Sequence, residues 1–78
     1  MATLSTLSKL RFGLPKRGNT KLTIYDVLGR EIDVLINTEL EAGFHEINYN
    51  ASKLTSGVYF YTIKAGNFSQ TKKLILLK

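Results

Sequence analysis

Leu22 to Ile36 reads LTIYDVLGREIDVLI, and the fold follows from how these residues alternate. Leu22 and Ile24 face one way while Lys21 and Thr23 face the other, the period-two pattern of a half-buried strand. After the break at VLGR the alternation resumes in EIDVLIN, which puts Ile32, Val34 and Ile36 on one face. Leu35 interrupts it, and a bulge or an early strand end is expected there. Between the two strands, Asp26 opens a turn and Gly29 stands three residues on, the arrangement of a type I turn closed by a residue in the left-handed region. Asp26 is then an acceptor for the turn amides, Gly29 takes the positive φ that a side chain resists, and Arg30 either pairs with a nearby acid or projects outward. Val27 and Leu28 do not fit turn chemistry, since turn tips favour Gly, Pro, Asn, Asp and Ser. Two branched apolar residues at a tip are either a lid over the core or a docking point.

The same period extends in both directions. Upstream, Leu10, Phe12 and Leu14 alternate with Lys9, Arg11 and Gly13 before PKRGN breaks the run. Downstream, TELEAG is too short for a stable helix and reads as a loop with at most one helical turn, closed by Gly43. FHEINYN sets His45, Ile47 and Tyr49 against Phe44, Glu46 and Asn48. ASKLTSG is a polar connection anchored by Leu54 and ended by Gly57, and VYFYTIK has the composition of a strand covered on both faces. AGN, with Gly66, makes a tight hairpin into FSQTKKLILLK, the last strand. About six to seven strands with turn signals every 8–12 residues predict an all-β, immunoglobulin-like antiparallel β-sandwich over residues 9–78. Residues 1–8, MATLSTLS, are the least committed part of the chain.

The chain has 78 residues, which allows one domain with a small stability margin. It has no Cys and a single His, so disulfides and thiolate metal sites are excluded, and the residues imply no cofactor. No apolar run approaches the ~18 residues that span a bilayer, so membrane insertion is not expected. The start MATLSTLSKLRF lacks the pattern of an export signal, and a Met start without one is what an excised fragment would show. Eleven Lys and Arg against six Asp and Glu give a formal net charge of +5, which invites an acidic partner. These cations read as scattered strand-edge lysines without interleaved exposed aromatics, and nucleic-acid binding is not expected from them.

Candidates for catalysis are few. His45 has no Ser or carboxylate assigned to it by spacing, and the six acids sit at turns or on outward strand positions. Glycines fall singly at turns, so there is no phosphate-cradling loop. The residues read as non-enzymatic.

Four segments resemble one family. IYDVLGREI (24–32), GFHEINY (43–49), LTSGVYFYTI (54–63) and TKKLILLK (71–78) are similar, in order and spacing, to the IYDxxGRxV, GxHxxxW/Y, LxSGVYFYxL and TKKxxLxK pattern of the type A C-terminal sorting domain of type IX secretion cargo. The likeness covers about residues 10–78; the Pro-Asn-Pro segment that usually precedes the first strand has no counterpart here. The resemblance implies an immunoglobulin-like sandwich appended to a parent cargo protein and recognised by the secretion machinery in the periplasm. It also implies transport across the outer membrane to the cell surface or medium, often with removal by a sortase-like cysteine protease.

On this reading the recognition candidates are Val27, Leu28 and Arg30 at the hairpin, and Lys72, Lys73 and Lys78 on the last strand. There Leu74 and Leu76 are expected inward, Lys72 outward, and Lys73, Ile75 and Leu77 on the opposite face. The apolar closing strand is expected to leave a sheet edge that supports a weak homodimer. An accessory module that binds carbohydrate or protein, or oligomerises, is the alternative function, and Tyr25, Tyr59 and Tyr61 in a solvent-facing row would favour the carbohydrate form.

Overall fold

A computed structural model of the chain describes residues 2–4 and 7–76, with side chains from residue 9 onward. The reading of residues 1–8 falls partly outside these, and those of Leu77 and Lys78 wholly so. Seven strands succeed one another: β1 (Ala2–Leu4), β2 (Leu7–Leu14), β3 (Gly18–Asp26), β4 (Glu31–Leu40), β5 (Gly43–Asn50), β6 (Gly57–Ala65) and β7 (Phe68–Leu76). They form a five-stranded sheet in the order β1-β7-β6-β3-β4 and a two-stranded sheet of β2 and β5. All pairings are antiparallel except that of β1 with β7. This is an all-β sandwich of immunoglobulin-like layout, with the small sheet laid over one face of the large one.

The alternation found in the sequence builds the core. Leu10, Phe12 and Leu14 of β2 meet Leu22 and Ile24 of β3, Tyr59, Tyr61 and Ile63 of β6, and Leu74 and Leu76 of β7, all buried. Tyr49 and Ala51 close the core from β5 and the connection after it. Burial of its ring pushes the Tyr61 hydroxyl pKa up, and burial beside Asp33 and Tyr59 does the same to Tyr49.

Four local expectations are corrected. Ile32, Val34 and Ile36 do not share a face: β4 carries an extra residue at Leu35 and another near Ile32, so Ile36 lies opposite core residue Leu22 while Val34 lies opposite Thr23. A bulge opposes two residues to one and moves the residues beyond it to the other face. TELEAG is a loop only at Glu41 and Ala42, because the ladder with β3 continues through Thr38 and Glu39 to the pairing of Gly18 with Leu40. β6 is central in the large sheet, but a second layer covers only one of its faces; Val58 and Phe60 on the other are half-buried. Finally, the end of β7 is not the sheet edge, since Ala2–Leu4 adds a parallel strand along Leu74, Ile75 and Leu76 and leaves only the earlier part of β7 open.

Candidate recognition site at the hairpin end

Asp26 organises the hairpin between β3 and β4. Its Oδ1 accepts from the amides of Leu28 and Arg30, both at 2.9 Å, and its Oδ2 accepts from Arg30 Nε at 2.7 Å. The Gly29 amide donates to the Asp26 carbonyl at 3.0 Å, and the Asp26 amide donates to the Arg30 carbonyl at 3.0 Å. Gly29 has φ +80°, as the last position of such a turn requires. The Arg30 amide first, then its guanidinium and the Leu28 amide, hold the Asp26 carboxyl below its ordinary pKa. One carboxylate thereby makes three hydrogen bonds to two residues of the turn, Leu28 and Arg30.

Neither covers the core. Val27 is 64% exposed and Leu28 74%. They rim a shallow groove of about 470 Å³ whose other wall is Lys53 and Leu54 of the connection from β5 to β6 and Val58 at the start of β6. That connection is itself held: the Leu54 amide donates to the Ala51 carbonyl at 3.0 Å, and the Tyr59 hydroxyl donates to the Thr55 carbonyl at 2.7 Å. Ile32 adds a third exposed apolar side chain to the groove. The end of the sandwich is therefore an apolar rim with cations beside it, presented on a rigid frame.

The other candidates lie elsewhere. Lys72 is not outward: it shares the face of Leu74 and Leu76, is half-buried, and its Nζ donates to the Arg11 carbonyl at 3.1 Å. The Tyr61 hydroxyl, directly across from Lys72 on β6, donates to the same carbonyl at 3.1 Å. Lys73 is exposed on the opposite face, across from Phe60. Gly43, Gly57 and Gly66 all have positive φ, each at the start of a strand or in a turn. At Gly66 the +59° begins the two-residue turn that joins β6 to β7. His45 stacks on Phe12 with ring centroids 5.4 Å apart, and its Nε2 donates to the Glu41 carbonyl at 2.6 Å. Sequence reasoning did not single out Phe44, which is 95% exposed on the outer face of the small sheet, with its ring over Gly13. Its alternation with His45 was the available signal.

The family model of the secretion system C-terminal sorting domain matches residues 6–77, nearly the whole chain and all four motif segments but for the final Lys78. The chain belongs to this family. A search of curated proteins finds no match, and a search of solved structures finds none either. The sorting domain is a C-terminal signal for type IX secretion, so it works with the secretion machinery on behalf of a parent cargo and takes that cargo across the outer membrane. A signal acts by being bound, which is the kind of work an exposed rim on a fixed frame can do. The carbohydrate-binding alternative loses its surface, because Tyr59 and Tyr61 are buried in the core and only Tyr25 faces outward.

Proposed function

We propose that the sorting domain is read by the secretion machinery at its hairpin end, with Val27 and Leu28 as apolar contacts and Arg30 as the polar one, and that it catalyses nothing itself. The observation that carries this reading is the exposure of two branched apolar residues on a turn pinned by the Asp26 carboxylate, which accepts from the Leu28 and Arg30 amides and the Arg30 guanidinium. Exposed apolar side chains on a rigid support make contact energy available without an ordering cost. Lys73 of β7 and Lys78, which lies outside the described residues, belong to the proposal as accessory cations. Lys72 enters it with a structural bond to break. After transport the domain is removed by a sortase-like cysteine protease and the cargo stays at the cell surface or is released; neither nucleic acid nor membrane insertion has a part in this.

The test fuses the chain to a periplasm-exported reporter in a host that carries the system. Val27→Ser with Leu28→Ser is expected to leave the melting temperature close to that of the parent and to abolish surface delivery of the reporter. Full delivery by that double variant refutes the hairpin reading and shifts recognition to Lys73 on the last strand.

A further inference from the structure

We infer that the open face of the five-stranded sheet is a docking surface for an acidic protein segment, separate from the hairpin end. The large sheet is covered on one side only, and its other side presents Lys21, Thr23 and Tyr25 of β3, Phe60, Thr62 and Lys64 of β6, and Thr71 and Lys73 of β7 in register. No acid lies on this face in the strands β3, β6 and β7; on the edge strand β4 it carries Glu31, opposite Tyr25, and Glu39, opposite Asn19 and paired with Arg17. Lys21 and Lys64 stand directly opposite each other, both exposed. Directly opposed like charges destabilise a sheet, so this pair is a cost that the fold alone does not repay.

The arginines take four of the six acids. Arg30 binds Asp26, Arg17 binds Glu39 and Glu41, and Arg11 with Lys9 binds Glu46. Lys21, Lys64 and Lys73 have no ion pair among the described residues. The positive excess is therefore not scattered along strand edges; part of it is gathered on interior strands of one face. Between the lysine rung and the aromatic pair Tyr25 and Phe60 runs a threonine rung, with Thr62 and Thr71 hydroxyls 2.9 Å apart and Thr23 almost fully covered by its neighbours. Lysine stems and aromatic rings over a polar floor form a flat, cation-rich surface.

Its chemistry selects among occupants. A second copy is excluded by charge, since apposed faces would set Lys21, Lys64 and Lys73 against their own kind. A lipid surface calls for apolar side chains that protrude, but Tyr25 and Phe60 are half-buried, Val34 on β4 is only 37% exposed, and the far more exposed Val27, Leu28 and Phe44 lie off this face. An acidic protein segment laid across the sheet satisfies the lysines and the flush aromatics together.

The test titrates the isotope-labelled full chain with an oligoglutamate peptide and tracks backbone amide shifts, beside co-sedimentation with vesicles of phosphatidylglycerol and phosphatidylcholine. Shifts are expected on the outer-face residues of β3, β6 and β7, lost in Lys21→Gln with Lys64→Gln and kept in Lys16→Gln with Lys53→Gln, which removes the same charge from loops. The first double variant is also expected to melt a few degrees higher than the parent. The inference is overturned if the peptide does not bind or its shifts fall at Arg30 and Lys53. It is equally overturned if the two double variants weaken binding alike, if vesicles bind through Lys21 and Lys64 more tightly than the peptide, or if removing the lysine pair lowers the melting temperature.

Discussion

A side chain at position 29 meets nothing within 4 Å, yet the backbone there has φ +80°. The cost of Gly29→Val is therefore conformational and not steric, on the order of 1–3 kcal/mol. In a domain of this size that is a fall of at least several degrees in melting temperature, and a melt within a degree of the parent would contradict the turn geometry. Lys72 and Lys73 are neighbours in sequence with different expectations. Lys73→Gln touches no bond and should change stability by less than about 0.5 kcal/mol. Lys72→Met removes one of two donors to the Arg11 carbonyl, which Tyr61 still satisfies.

That shared carbonyl is a device at the scale of elements, since it ties β2 of the small sheet to β6 and β7 of the large one. Removing either donor leaves the acceptor paired, whereas removing both leaves it unsatisfied at the sheet junction. Lys72→Met combined with Tyr61→Phe should therefore cost more than the sum of the single changes, by about 0.5–1.5 kcal/mol in a double-mutant cycle read by urea unfolding. Simple additivity would mean that water serves the carbonyl as well as either side chain. The bulges of β4 also act at this scale. They let one strand give Ile36 and Leu35 to the core and Val34 to the outer face, and they disrupt the long outer edge against further pairing.

For the whole molecule, pH stability has two limits set by opposite shifts. Asp26 and Glu46 have lowered pKa values, Glu46 chiefly through the Arg11 hydrogen bond, so the unfolded chain binds more protons in acid. Their contribution is complete above the ordinary carboxylate pKa of about 4 and is lost as pH falls through the folded values. Tyr49 and Tyr61 are raised, so their contribution is complete below about pH 10 and is lost as pH rises through the folded values. Melting temperature should hold a plateau between these limits, and Asp26→Asn should flatten the acid side. Self-association also belongs to this scale. With β1 covering β7 along Leu74, Ile75 and Leu76 and with β4 bulged, the open edges of the small sheet beside Phe44 are what we expect a weak dimer to use, with the uncovered start of β7 as the other open edge. Sedimentation at millimolar concentration should detect it and Phe44→Ser should remove it; a monomer throughout rules it out.

The sequence by itself determined the strands, their inward residues and the family, because period-two alternation and turn chemistry are local and the four motifs are contiguous. Leu10, Phe12, Leu22, Ile24, Leu74 and Leu76 were legible as core from alternation alone. The turn at Asp26 to Gly29 was legible for the same reason, since its bonds join residues within five positions of one another. Tertiary structure decided what depends on partners distant in sequence. The bulges decided which face Val34 takes, and the return of Ala2–Leu4 decided that β7 is covered along Leu74, Ile75 and Leu76. A carbonyl on another sheet, 61 residues away, turned Lys72 inward. The pairing of β3 with β6 brought Lys21 and Lys64 face to face across 43 positions, a placement no local pattern encodes because it exists only once the two strands share a sheet.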